Sequence, residues 1–112
     1  MTLQEIIQKL DLTLFTTAKD FSTVRPAGGY TSDLLSCVIA GAKAQQLWVT
    51  LQMHVNVVAV AALTEVCAVI ISEGGTPEPQ VVEKAEAQGV TLLGSKEPTY
   101  HIVGKLWEMG IH

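Results

Sequence analysis

The chain has 112 residues, 48% of them hydrophobic and only 16% charged, with 11 acidic and 7 basic side chains giving a net charge of −4. That length is one domain's worth, residues 1–112, and buries enough surface for one modest core. The basic residues stand singly, with no patch to track a phosphate backbone, so nucleic-acid binding is excluded. Charged residues usually make up about 25% of a chain. The shortfall here leaves apolar surface to share with another subunit, and a homodimer is expected.

The start, MTLQEIIQKLD, lacks the basic segment and apolar block of a secretory signal. The longest apolar run, residues 55–63, is interrupted by Asn56 and is far short of the roughly 20 residues that span a bilayer. A cytoplasmic protein without membrane contact is expected. Cys37 and Cys67 both lie in apolar runs and read as small buried hydrophobes rather than a disulfide or a metal pair. With no CxxC or HExxH spacing, no metal and no cofactor are expected.

Leu3, Ile6, Ile7 and Leu10 recur at helical spacing, which predicts an amphipathic helix over residues 2–10 starting at Thr2. Residues 12–15 form a short strand candidate, residues 22–24 a candidate edge strand, and Pro26-Ala27-Gly28-Gly29 a turn. Thr31 or Ser32 then caps a helix whose buried face is Leu34, Leu35, Val38, Ile39 and Ala42. From residue 47 to 57 apolar residues alternate strictly with Trp48, Thr50, Gln52, His54 and Asn56, predicting a strand to about residue 52. The Ala-rich VVAVAALTEV that follows reads as a buried helix capped by Asn56.

Residues 67–71 are continuously apolar, as in a strand covered on both faces. Thr76 as cap and Pro77 as first residue open a helix ending at Gly89, and residues 90–93 form another strand. Pro98 opens a last helix with Ile102, Val103, Leu106 and Trp107 on one face and Gly110 as its stop. Strands alternating with helices predict an α/β fold of three layers. Its mostly parallel sheet has about four to five strands, with helices on both faces and right-handed crossovers.

The segments GGYTSDLLSCVIAGA, LWVTLQMHVNVVAVAAL and CAVIISEGGTPEPQVVEKAEAQGV resemble the stand-alone branch of the DRTGG-domain proteins, from about Gly28 to Ile111. Similar domains are fused to phosphate acetyltransferases and to CBS-containing pyrophosphatases, and the N-terminal domain of HPr kinase/phosphorylase has a similar fold. The resemblance implies an accessory or regulatory domain whose chemistry is carried elsewhere. In the stand-alone branch it implies association with redox enzyme subunits, the iron hydrogenase and NADH-linked systems. The literal Asp-Arg-Thr-Gly-Gly string is missing. At that turn stand Gly28-Gly29-Tyr30-Thr31-Ser32-Asp33, so no anion-binding role for an arginine carries over.

Ligands of open parallel sheets bind beyond the carboxyl ends of the strands. Three segments are expected there, each presenting backbone N–H groups at a helix start: Gly29, Tyr30 and Asp33; Gln52, His54 and Asn56; Gly74 and Gly75. A small anionic metabolite or nucleotide is the expected ligand, with Asp33 placed to orient His54. A plainer reading competes at each position. Ser32, Asp33, Asn56 and Thr76 are ordinary helix-start residues, and Gly74-Gly75 lacks the Lys-Ser/Thr ending of a phosphate loop. His54, in alternation with two amides and running into a buried helix, is the strongest of the set. No nucleophile motif accompanies it, so an enzyme is not expected. The other expectation for function is a structural accessory protein docked on a redox complex.

Overall fold

The computed structural model covers Met1–His112 and contains a five-stranded sheet in the order β1-β5-β4-β3-β2. The strands are β1 (Thr13–Leu14), β2 (Gly28–Thr31), β3 (Gln46–Thr50), β4 (Ala68–Ile71) and β5 (Leu92–Gly94). The helices are α1 (Leu3–Lys9), α2 (Leu35–Gly41), α3 (Asn56–Thr64), α4 (Pro79–Gln88) and α5 (Thr99–Glu108). Strands β2 to β5 are parallel neighbours in chain order, and β1 alone is antiparallel, with Thr13 opposite Gly94. A right-handed crossover stepping always in one direction keeps its helices on one face. Accordingly Val38 of α2, Val57, Val58 and Ala61 of α3 and Val81 and Ala85 of α4 pack together on Trp48, Val69, Ile71 and Leu92. On the other face Leu3 and Ile6 of α1 and Ile102 and Leu106 of α5 pack on Leu47, Val49, Ala68, Ile70 and Leu93. This is the three-layer α/β architecture read from the sequence.

The local signals succeed where chain chemistry alone decides. Thr2 caps α1 in a reciprocal box with Glu5. Gly89 ends α4 in the left-handed region at φ 71°, and Gly110 follows α5 at φ 85°. They fail where neighbours decide. No strand forms at residues 22–24, because Asp20 Oδ1 accepts from both the backbone N–H and the hydroxyl of Ser22 and closes a tight turn. The expected turn at 26–29 is instead the start of β2: Gly28 and Gly29 pair with Gln46 and Leu47, sheet pairing overriding weak glycine propensity. α4 begins two residues late, with Pro79 rather than Pro77 at its start, which leaves Thr76 in the loop before it.

Two expectations about burial change as well. The alternation along β3 marks no solvent face: Leu47, Trp48, Val49 and Thr50 are all at most 1% exposed, because helices cover both sides. Of the expected buried face of α2 only Val38 is buried; Leu34 and Ile39 are 61% and 50% exposed. Trp107 is likewise outside, stacked on the His112 ring with centroids 4.0 Å apart. No helix is long and apolar enough to cross a membrane.

Candidate functional site

Three loops leave the carboxyl ends of β2, β3 and β4, and the first two are stitched together by one buried hydroxyl. Thr50, the last residue of β3, is fully buried. Its Oγ1 donates to Asp33 Oδ1 at 2.8 Å and accepts from the Gln52 N–H at 3.1 Å, and the same Asp33 oxygen accepts from the Leu51 N–H at 3.0 Å. Asp33 therefore does not orient His54. It fastens the β2–α2 loop to the end of β3. The relay runs on: Gln52 Oε1 accepts from the His54 N–H at 3.3 Å, and His54 Nδ1 accepts from the Asn56 N–H at 3.1 Å. With Nδ1 used as an acceptor, the neutral imidazole carries its proton on Nε2. The cap residue of α3 is Val55, and Asn56 is its first helical residue; the ring of His54 does the capping expected of Asn56.

The free backbone donors expected at these helix starts are largely engaged. In the β4–α4 loop the N–H groups of Glu73, Gly74 and Gly75 donate to the carbonyls of Glu97, Ser95 and Ser72. Glu73, itself at φ 64°, also accepts from the Thr99 N–H at 2.8 Å and so caps α5. Ser72 and Thr99 share a hydroxyl contact of 2.5 Å. The Gly74-Gly75 turn is thus a brace between two loops, not an anion cradle. A Cβ at Gly75 would lie 2.6 Å from Met53 Sδ, so any larger residue there would push the Met53 side chain aside.

The loops after β3 and β4 nonetheless enclose an open cleft of about 590 Å³, lined by Gln52, Met53, His54, Val55, Thr76 and Gln80 among others. His54 is exposed into solvent at its rim, while Leu51 and Met53 are 47% and 37% exposed. The walls combine apolar surface with two side-chain amides, an imidazole, a hydroxyl and the carboxylate of Glu78, which is already held by Gln80 Nε2 at 3.1 Å. Such a lining suits a ring system bearing hydroxyl and amine groups, and its only titratable donor is the imidazole.

The eight residues singled out in the sequence fall into four places. Gln52 and His54 line the cleft, with Gly75 beneath Met53; Asp33 and Asn56 belong to the hydrogen-bonded relay behind it. Gly74 lies in the brace toward Ser95 and Lys96. Gly29 and Tyr30 are elsewhere, inside β2 rather than after it. They line a separate cavity of about 120 Å³ with Val49, Val103, Leu106 and Trp107, and the Tyr30 hydroxyl donates to the Cys37 carbonyl at 3.0 Å. Sequence reasoning passed over Thr50, Met53 and Gln80. A Thr at the polar position of a strand's last residue was a signal for the first; the other two carry none. No group of three or more His, Cys, Asp or Glu side chains is placed to hold a metal ion. Cys37 and Cys67 are unpaired, and burial pushes the Cys67 thiol up to about 11.

The fold and the cleft together define a three-layer α/β domain with an open cleft at the carboxyl ends of the strands, between the β3 and β4 loops. No family model and no curated protein matches the sequence. Among solved structures, the chain is similar to the crystal structure of the CBS and DRTGG domains of the regulatory region of Clostridium perfringens pyrophosphatase, complexed with its activator, diadenosine tetraphosphate. The TM-score is 0.74 at 14% identity, over 91% of this chain and 46% of that one, so this chain spans about half the length of the solved regulatory region. The DRTGG-like fold implied by the sequence resemblance is the fold observed.

Proposed function

We propose that this protein is a non-catalytic, homodimeric regulatory domain of the cytoplasm that binds a nucleotide in the cleft between the β3–α3 and β4–α4 loops. The observation that carries the reading is the cleft itself. At about 590 Å³ it lies in the size range of small-molecule sites, roughly 300–1,000 Å³, and it brings Gln52, His54 and Thr76 to one rim. The engaged N–H groups of Glu73, Gly74 and Gly75 argue against recognition by a backbone phosphate cradle. The base and ribose then supply most of the affinity, by contact with Leu51 and Met53 and by hydrogen bonds to the amides and the imidazole. The similar pyrophosphatase region, solved with a dinucleotide activator, supports a regulatory role for this fold.

A thermal-shift series of adenosine, AMP, ATP and diadenosine tetraphosphate, with inorganic phosphate as control, tests this. A ligand that binds only the folded state adds about 2.7 kcal/mol at a hundred times its Kd. At roughly 4 °C per kcal/mol for this size, that is a rise of about 10 °C. Adenosine is expected to retain much of the shift and phosphate to give none. No shift with any nucleotide refutes the proposal.

A second reading has its own observation. Leu34, Ile39 and Leu63 are 61%, 50% and 67% exposed, more apolar surface than a nucleotide cleft accounts for. On that reading the chain is a structural accessory protein docked onto a redox enzyme complex of the iron hydrogenase or NADH-linked kind. It predicts no nucleotide shift and co-purification with a flavin- or iron-containing partner.

A further inference from the structure

Charge is distributed very unevenly over the outer surface. Residues 34–64 contain a single Lys, Arg, Asp or Glu, Lys43, although the whole chain has 18 such residues. The helices α1, α4 and α5 each turn charged side chains outward: Glu5 and Lys9; Glu83, Lys84 and Glu86; Lys105 and Glu108. Neither α2 nor α3 contains one. These two helices pack side by side on one face of the sheet, and their outward positions are Ser36, Cys37, Ile39 and Ala40 on α2 and Asn56, Ala59 and Leu63 on α3. Leu63 is 67% exposed and Ile39 50%.

We infer that the outer face of α2 and α3 is where a second copy of this chain docks, the two helix pairs meeting across a two-fold axis. Charge selects the occupant. Two copies at −4 each repel over most of their surfaces, and the α2–α3 face is the area where that repulsion is least. Apart from Lys43 and Glu65, which follow the C-terminal ends of the two helices, the face offers no ionic handle to an acidic or basic partner or to an anionic membrane. An uncharged patch of small and aliphatic side chains is complementary to itself, as a two-fold contact requires. A small two-fold contact needs about 600 Å² from each copy, roughly a tenth of this chain's 5984 Å². The inference rests on the self-association in the preceding reading and is independent of the nucleotide.

Light scattering after size exclusion, at about 100 µM protein, reads the outcome on four chains. The parent and Tyr100→Glu, altered at a 90% exposed position on α5, are expected at twice 12.0 kDa. Ala40→Glu and Leu63→Glu are expected at 12.0 kDa, with unchanged circular dichroism because both positions are exposed in a single copy. Each substitution enters the contact twice and is expected to weaken it roughly a hundredfold or more. Amide exchange of the unaltered chain gives a second measurement: exchange across 35–41 and 56–64 slows as concentration rises. A dimer that survives both substitutions, or slowing confined to 99–108, overturns the surface while leaving self-association standing. A parent that is monomeric overturns both.

Discussion

Asp33→Ala and His54→Ala separate what the relay does for stability from what the cleft does for binding. Removing the Asp33 carboxylate leaves the Thr50 hydroxyl, in a residue that is fully buried, without its acceptor, and it frees the Leu51 N–H. A buried polar group left unpaired costs about 1–3 kcal/mol. Leu51 is 47% exposed, so water recovers its N–H and most of the loss comes from the hydroxyl. About 2 kcal/mol is therefore expected, or about 8 °C at roughly 4 °C per kcal/mol. His54→Ala removes only an acceptor at an exposed helix start, where the Asn56 N–H passes to water. Its cost is expected at about 0.5 kcal/mol, the low end for a lost helix cap. Thermal melts of both single variants, of Thr50→Val and of the Asp33→Ala/Thr50→Val double variant complete the cycle. In the double variant the stranded hydroxyl is gone, so it is expected to lie above the sum of the single losses by at least 0.5 kcal/mol, as coupled neighbours do. Binding is expected to reverse the order: His54→Ala abolishes the nucleotide shift and Thr50→Val keeps it. An Asp33→Ala variant as stable as the parent, or additive single losses, refutes the relay.

Acid should loosen the molecule at its edges first. Glu5 is held below its usual value of 4.5 by hydrogen bonds from Thr2, Asp20 below 3.8 by those from Ser22, and Glu86 below 4.5 by those from Thr17. A depressed carboxylate stabilises the fold above its unfolded pKa and loses that contribution as pH falls through the folded one. The melting temperature is expected to be flat from pH 8 to 5 and to fall below 4.5, and Glu86→Gln should flatten part of that fall. Cys67, half-buried and with its thiol raised to about 11, should resist a thiol reagent at pH 8 in the folded state and react at once in denaturant. Fast labelling of the native protein at Cys67 would contradict its burial.

The layer order was legible because strand and helix periods differ, and because Thr2, Gly89 and Gly110 punctuate the chain through local geometry alone. What the periods could not show was how many layers a strand touches. The alternation around Trp48 looks half-exposed in the sequence, yet a tryptophan and a threonine also fit a fully covered strand when each finds a partner: Trp48 Nε1 donates to the Ser32 carbonyl at 3.0 Å, and Thr50 to Asp33. β2 was missed for the complementary reason. Two glycines carry no strand preference, and only β3 beside them makes a strand of them. In the site, Gln52 and His54 were recognisable from their alternation. That Glu73 and Gly74 spend their N–H groups on the β5–α5 loop was not, since that pairing joins residues more than 20 positions apart.

The order of the sheet also bears on how the chain reaches its fold. From β2 to β5 each new strand lies against the one made just before it, so every pairing closes a loop of about 20 residues and the sheet can zip up in one direction. Only β1 breaks the sequence, since Thr13 must wait for Gly94 before it has a neighbour. Assembly of this kind combines rapid growth of the parallel sheet with one late, long-range closure. That closure brings in α1, whose Leu3 and Ile6 complete the core on the α5 face. Until it happens, the outer edge of β5 is open, and it is there that a nascent or partly unfolded chain is most exposed to pairing with another.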